Sequence, residues 1–143
     1  MMADRTANVT WSGSLMEGGG TIESVGSGAF GPLDVTWASR AEESDGRTSP
    51  EELIAAAHAA CFSMALSHGL DQAGTPADHL DTSATVTFVP GTGITKIALS
   101  VRGSIPGLDE AAFVEAAESA KESCPVSKAL AAVSEITLDA RLA

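Results

Sequence analysis

The feature that most constrains the fold is one long apolar segment near the middle of the chain. It begins at a helix-start signal, in which Ser49 can cap, Pro50 suits the first helical position and Glu52 completes a capping box with Ser49. Residues 50–70 are then apolar on nearly every side, which predicts a helix that lies in the middle of the molecule. Its most apolar part, residues 53–66, is shorter than a membrane span and is typical of a core helix.

The segments around this helix predict a single α+β domain over residues 1–143. Strands are predicted at 9–15, 20–25, 33–39, 84–88, 96–102 and 135–142, where β-forming or alternating residues lie between turn residues. A polar loop is predicted at 40–49, and two further helices at 109–122 and 125–131. The order is β-β-β-α-β-β-α-α-β, with an antiparallel meander first and no strands interleaved with helices in βαβ fashion.

Composition and charge narrow the classes of function. The chain carries 19 acidic and 8 basic residues, which gives a formal net charge of -11 at pH 7. Such a chain repels phosphate backbones and anionic surfaces, so neither nucleic acid nor a membrane is an expected partner. The first residues show no apolar leader, and two distant cysteines are fewer than a small secreted scaffold carries. We therefore expect a cytoplasmic protein with reduced or catalytic thiols.

The two cysteines are the candidate chemical groups. Cys61 lies in mid-helix, where a buried structural thiol and a reactive thiol are both consistent with the pattern. Cys124 stands where the next helix starts, with Pro125 at the first helical position, and backbone N–H groups there stabilise a thiolate. His58 shares a helical face with Cys61 and is interpreted as a packed core residue, with a base or half of a metal site as alternatives. The chain has no C-x-x-C pair and no set of four zinc ligands, so neither a thioredoxin-type centre nor a metal is expected.

Two motifs resemble the OsmC/Ohr family, the osmotically inducible and organic-hydroperoxide-resistance proteins. The first covers residues 49–66, SPEELIAAAHAACFSMAL, and its AHAACFSM form is similar to the OsmC branch. The second covers residues 123–128, SCPVSK, and residues 135–139, EITLD, are similar to the closing strand of the family. Because both motifs stand at the expected separation, the resemblance extends over nearly the whole chain.

The resemblance implies an OsmC-like fold, with antiparallel sheets around a long central helix, in an intertwined homodimer with two active sites at the subunit interface. It also implies a thiol-dependent peroxidase without a cofactor, in which Cys61 is the peroxidatic cysteine and Cys124 the resolving one. Glu51 matches the glutamate at the start of the family's helix. Arg40 matches the arginine that contacts the reactive thiolate, with Arg47 as the alternative.

The implied reaction is chemically consistent. The Cys61 thiolate would reduce an organic hydroperoxide, and hydrogen peroxide less well, to leave an alcohol and a sulfenic acid. Cys124 would convert that sulfenic acid to a disulfide, for which the end of the second helix must meet the middle of the first. A dithiol, or a lipoylated or thioredoxin-like protein, would then reduce the disulfide. Arg40 would hold the peroxide oxygens and stabilise the leaving alkoxide, and Glu51 would orient Arg40 through a bidentate pair.

The spacing of two of these residues bears on assembly. Glu51 and Cys61 are ten residues apart on one predicted helix, and therefore about 15 Å apart along its axis. One arginine cannot easily contact both, so the two residues that line one site would come from different chains unless the helix bends. Two other interpretations stay open: a non-catalytic redox sensor or stress-binding protein, and a structural metal site made by Cys61, Cys124 and His58.

Overall fold

The computed structural model describes residues 1–143, which form two compact units, Met1–Pro50 and Glu51–Ala143. The elements of the first unit are β1 (Ala7–Ser12), β2 (Gly19–Val25), β3 (Leu33–Val35) and α1 (Trp37–Ala41). Its three strands form an antiparallel sheet in the order β1-β2-β3, which confirms the predicted meander. β1 ends earlier than predicted because Gly13 takes a φ of 87°, a left-handed conformation that opens the turn to β2.

The strand predicted at 33–39 is wrong in its second half. The strand ends at Val35, and Thr36 caps a short helix by accepting a hydrogen bond from the Ser39 N–H, while the Ser39 hydroxyl accepts one from the Thr36 N–H. Arg40 therefore lies in the last turn of α1 and not in the predicted polar loop. A helix of only 5 residues is too short to show an apolar period, so the sequence pattern gives no sign of it.

The second unit contains the long helix and a second sheet. Its elements are α2 (Pro50–Gln72), β4 (His79–Val89), β5 (Gly93–Ser104), α3 (Glu110–Ser123), α4 (Pro125–Ala129) and β6 (Glu135–Leu142). α2 begins at the predicted Pro50, and α3 begins after Asp109, whose side chain accepts a hydrogen bond from the Ala112 N–H. The α+β class and the long helix are confirmed, and both β4 and β5 are longer than predicted.

The last strand runs in a direction that was not predicted. The second sheet has the order β4-β5-β6; β4 and β5 are antiparallel, but β6 is parallel to β5. A parallel pair requires a long crossover connection, and α3 and α4 supply it. The prediction that no strands are interleaved with helices is therefore wrong for β5 and β6, since alternation in a sequence indicates the faces of a strand and not its direction.

The core of the second unit lies between one face of α2, the sheet and α3. Its buried members are Phe62, Leu66, Leu70, Ile97, Leu99, Val101, Ile105, Phe113, Ala117, Ala120 and Cys124. Burial of these side chains fixes α3 against β5 and α2 by removing apolar surface from water. The end of α3, and Cys124 with it, is thereby held in the core.

The opposite face of α2 is uncovered in the single chain. Met64 is 72% exposed, and only 22% of the most apolar window of α2 is buried. The prediction of a helix enclosed in the middle of the molecule is therefore wrong for one chain, because the sheet and α3 cover one face only.

By length and composition α2 would also suffice to cross a membrane, so the length argument against a span does not hold. The fold itself is compatible with a soluble protein, since α2 packs one face into the core.

Candidate active site

Each cysteine is positioned by its own segment of the second unit. Cys61 lies in the middle of α2. α3 ends at Cys124, whose N–H still donates to the Ala120 carbonyl at 2.9 Å, while a ψ of 122° turns the chain out of the helix. Pro125 lacks an N–H and disfavours a helical conformation at the preceding residue. The chain therefore breaks at Cys124 and starts again as α4.

The two thiols lie close enough for each to shift the pKa of the other. Both are free thiols; Cys61 is partly exposed, whereas Cys124 is completely buried. The fold thus brings the end of α3 against the middle of α2, which is the approach predicted for a pair that can form a disulfide. Of the two sulfurs, that of Cys61 is the one that a solute can reach.

The surroundings shift the pKa values of the two thiols in opposite directions. Burial and the neighbouring Cys124 raise the pKa of Cys61, and a hydrogen bond from the Val126 N–H opposes only part of this rise. Burial also disfavours the Cys124 thiolate, but four nearby donors favour it and together lower the pKa of Cys124: the Ser127 N–H, the Cys61 thiol, the Ser127 hydroxyl and the Val126 N–H. The Cys124 sulfur makes no conventional capping hydrogen bond, so the N–H groups at the start of α4 act on it mainly through their dipoles.

His58 is a packed and hydrogen-bonded core residue, as interpreted from the sequence. It is completely buried, and its Nε2 lies 2.7 Å from the hydroxyl of Ser127. Its Nδ1 is buried without a hydrogen-bond partner. Burial lowers the pKa of His58, so the ring is neutral near pH 7.

Ser127 is a site residue that was not predicted from the sequence. It is buried, it contacts the Cys124 sulfur, and it is the hydrogen-bond partner of His58. A signal for it was present, because Ser127 is the third residue after Cys124. Backbone N–H groups at that position of a helix point back to the capping side chain.

The predicted Glu51 and Arg40 lie in different units. Glu51 is in the first turn of α2 and is 6% exposed, while Arg40 is in the last turn of α1. α2 is one continuous helix, so Glu51 and Cys61 are about 15 Å apart along its axis, as expected. Arg47, the alternative to Arg40, pairs with the exposed Asp45 at 3.3 Å.

The structural metal site considered from the sequence lacks a third ligand. No group of three or more histidine, cysteine, aspartate or glutamate side chains is arranged to hold a metal ion. The His58 Nε2, the ligand that such a site would need beside the two thiols, is directed at Ser127. The arrangement is instead that of two free thiols that lie close to each other.

Comparison with known proteins places the chain in a family. The family model described as OsmC-like protein matches residues 43–139. The chain is 43% identical to peroxiredoxin OsmC of Escherichia coli (strain K12) over 145 aligned residues, which cover 99% of both proteins. It is 33% identical to the organic hydroperoxide resistance protein of Xanthomonas axonopodis pv. citri (strain 306) over 94 residues, which cover 64% of this chain and 65% of that protein.

A solved structure agrees with this relationship. The organic hydroperoxide resistance protein OsmC of Legionella pneumophila superimposes with a TM-score of 0.70 at 25% identity, and the match covers 95% of this chain and 96% of that one. Sequence and fold thus agree over nearly the whole length, which is the extent that the two cysteine motifs indicated. The chain belongs to the OsmC-like protein family.

Proposed function

We propose that this chain is a thiol-dependent peroxidase that reduces organic hydroperoxides to alcohols in defence against peroxide stress. The observation that carries the proposal is the contact between Cys61 and Cys124, in which a partly exposed thiol lies against a fully buried one. Such a pair suits two-step chemistry, since one sulfur can meet the substrate and the other can reach the oxidised product. Relatives bear the names peroxiredoxin OsmC and organic hydroperoxide resistance protein, which support the same class of activity.

Access to the substrate assigns the first step to Cys61. The pKa of Cys124 is the lower of the two, but its sulfur is completely buried and cannot meet a peroxide from solvent. Cys61 becomes reactive when the shared proton resides on Cys124. Its thiolate then accepts the hydrogen bond from the Val126 N–H, the one neighbouring group that lowers the pKa of Cys61. The attacking species is thus the less populated state, in which Cys61 is the thiolate and Cys124 the thiol. The pair returns to this state by proton exchange as peroxide consumes it.

The proposed steps balance as follows. The Cys61 thiolate attacks the terminal oxygen of the hydroperoxide; an S–O bond forms, the O–O bond breaks, and the alkoxide takes a proton from solvent to become the alcohol. Cys124 then attacks the sulfur of the sulfenic acid, the S–S bond forms, and hydroxide leaves and is protonated to water. An external dithiol, or a lipoylated or thioredoxin-like protein, restores both thiols by disulfide exchange. No cofactor enters this sequence.

Arg40 and Glu51 complete the proposed site on the strength of the family resemblance. Arg40 would hold the peroxide oxygens and stabilise negative charge on the leaving alkoxide, where a fixed donor is most effective. Glu51, which is buried near the start of α2, would orient the guanidinium. Both roles remain predictions and are tested by the substitutions described in the Discussion.

A homodimer is the proposed assembly. Residues on the uncovered face of α2 include Met64, which is 72% exposed, and most of the apolar window of the helix lies outside the core of the single chain. A second copy that presents the same face would bury this surface by two-fold symmetry. Met64→Glu should therefore weaken the dimer in sedimentation measurements. Val114→Glu, at an exposed position of α3, is the control and should not; a wild-type monomer with full peroxidase activity would contradict the proposal.

Other predictions from the sequence stay proposals as well. We propose a single domain over residues 1–143, a cytoplasmic location, and partners limited to the peroxide, the reductant and a second copy. Nucleic acid and membranes are not expected partners, because the net charge of -11 repels phosphate-rich surfaces.

The test is consumption of cumene hydroperoxide by the wild type, Cys61→Ser and Cys124→Ser. With excess dithiol, the wild type should turn over many times, and Cys61→Ser should not turn over. Without dithiol, Cys124→Ser should consume one equivalent and then stall or form sulfinic acid, because its sulfenic acid has no resolving partner. A folded and fully reduced wild type that forms the disulfide but never turns over with several dithiols would instead identify a redox sensor.

A further inference from the structure

A buried histidine and a buried serine connect the two segments that carry the cysteines. His58 lies on α2 one turn before Cys61, and its Nε2 is 2.7 Å from Oγ of Ser127 on α4. Ser127 is the third residue after Cys124, and its hydroxyl and its N–H both favour the Cys124 thiolate. Neither residue takes part in the two steps proposed above. The pair is nevertheless closed off from solvent beside the resolving cysteine, with His58 fully buried and Ser127 8% exposed.

The hydroxyl hydrogen of Ser127 determines the direction of this hydrogen bond. A serine hydroxyl has one hydrogen, and the contact with Cys124 stabilises the thiolate, so that hydrogen points to the sulfur. Ser127 Oγ must then accept from the Nε2–H of His58. The other tautomer would turn the hydroxyl hydrogen away from Cys124, and it would leave an N–H at Nδ1 buried without a partner, which proteins rarely tolerate. His58 is therefore a neutral ring with its hydrogen on Nε2.

We infer that His58 is a positioning residue for the resolving step: its Nε2–H holds the Ser127 hydroxyl so that the hydroxyl hydrogen points at Cys124, which keeps Cys124 as the thiolate that attacks the Cys61 sulfenic acid. The inference rests on the proposed function and adds to it the residues that control its second step. Ser127 touches a reacting atom, whereas His58 acts only through Ser127.

The resolving step depends on this thiolate. The electron pair of the Cys124 sulfur forms the S–S bond, the S–O bond of the sulfenic acid breaks, and hydroxide leaves to be protonated by solvent. Because no proton leaves Cys124 during the step, its rate follows the fraction of Cys124 that is already ionised. Donation from His58 to Ser127 raises that fraction once the sulfenic acid has formed and Cys124 has released its proton to solvent, so resolution can precede attack by a second peroxide.

Loss of the pair should affect the two chemical steps differently. A negative charge on either thiol disfavours one on the other, so a weaker Cys124 thiolate shifts ionisation toward Cys61. Sulfenic acid formation at Cys61 should then keep its rate or gain, while disulfide formation slows. General loosening of the site would slow both steps. Slower disulfide formation with unchanged sulfenic acid formation therefore distinguishes the proposed role from a structural one.

Other charged groups near this pair stay constant in the test. Lys121, Glu122 and Lys128 line, together with Ser127, a groove of about 290 Å³. Variants that change only the serine or the histidine therefore leave the charge around the groove unaltered.

The test compares Ser127→Ala and His58→Leu with His58→Gln, whose amide can still donate a hydrogen bond toward Ser127. After one equivalent of cumene hydroperoxide, the first two variants should form the disulfide about tenfold more slowly than wild type, since each loses a hydrogen bond that supports a charged sulfur. Their sulfenic acid formation should not fall, and excess peroxide should convert Cys61 to the sulfinic acid. His58→Gln should stay within about threefold of wild type, because its donor is retained.

The outcomes that would overturn the inference are distinct from failure of the peroxidase itself. Three results would overturn it. Ser127→Ala could form the disulfide at the wild-type rate, or both steps could slow equally. Or His58→Gln could form the disulfide no faster than His58→Leu. A second measurement needs no peroxide: thiolate absorbance of Cys124 is titrated with pH in the Cys61→Ser background. Ser127→Ala and His58→Leu should raise its midpoint by about one pH unit, the same tenfold effect, and an unchanged midpoint would refute the role. If wild type consumes no peroxide, the proposed function fails while this titration still tests the role of His58.

Discussion

A methyl group added at Gly103 tests how closely α3 packs on β5. A Cβ at this position would lie 2.6 Å from Cζ of Phe113, 2.7 Å from its Cε1 and 2.6 Å from Cδ1 of Ile105. Carbon atoms pack favourably at about 3.5–4.0 Å, so the neighbours would have to move by roughly 1 Å. Ile105 can rotate its terminal methyl group away, but the Phe113 ring is completely enclosed in the core. Gly103→Ala should therefore overpack the contact that holds α3 in place.

The backbone at Gly103 has little freedom to relieve this clash. Gly103 pairs with Leu80 of β4 on one side and with Leu142 of β6 on the other. Overpacking of a core in this way costs about 1–3 kcal/mol. For a chain of this length the loss corresponds to a fall in Tm of roughly 3–10 °C. Because α3 ends at Cys124, the same displacement would disturb the approach of the two thiols.

The assay is guanidinium unfolding and calorimetry of Gly103→Ala beside Gly69→Ala, a matched control. Gly69 lies within α2, and a Cβ added there meets no atom within 4 Å. Alanine is favoured over glycine inside a helix by about 0.5–1 kcal/mol, so this variant should be more stable than wild type. Gly103→Ala at or above wild-type stability would refute the close approach of Phe113. A loss at Gly69→Ala would refute the open space beside α2.

Three further predictions concern the site and the assembly. Arg40→Lys should lower kcat/KM at least about tenfold, because a lysine cannot make bidentate contacts, whereas Arg47→Lys should stay within about twofold; equal losses in peroxidase assays would remove Arg40 from the site. Titration of the reduced protein by thiolate absorbance should give one step below and one above the ordinary cysteine pKa, and two coincident steps would contradict the opposite shifts of Cys61 and Cys124. In the Cys61→Ser background, the lowered pKa of Cys124 should stabilise the folded state. This stabilisation should be fully present at pH values above the pKa of Cys124 in the unfolded chain. That contribution should disappear as the pH falls through the folded-state pKa, which pH-dependent unfolding against the double serine variant would measure.

Local signals were sufficient for the parts of the site that depend on neighbouring residues. Pro50 and its flanking residues indicate where α2 begins, and no distant contact is needed for that. Pro125 in the same way determines that the chain breaks at Cys124, because the missing N–H acts on its own neighbours. The pairing of Cys61 with Cys124 was also expected, but only because both motifs resemble a family in which the two cysteines work together.

Contacts between distant segments decided the rest. The direction of β6 depends on how α3 and α4 cross the sheet. The alternation of apolar and polar residues is the same in a parallel and an antiparallel strand, so the sequence pattern does not indicate the direction. The short helix that contains Arg40 depends on the capping box before it and on no apolar period. The acidity of Cys124 depends on burial and on donors that folding brings together, including Ser127, which meets His58 across 69 residues of chain. The sequence by itself therefore indicated the two cysteines as the candidate chemical groups, whereas only the tertiary structure decided which thiol has the lower pKa, because burial and hydrogen bonding act through space.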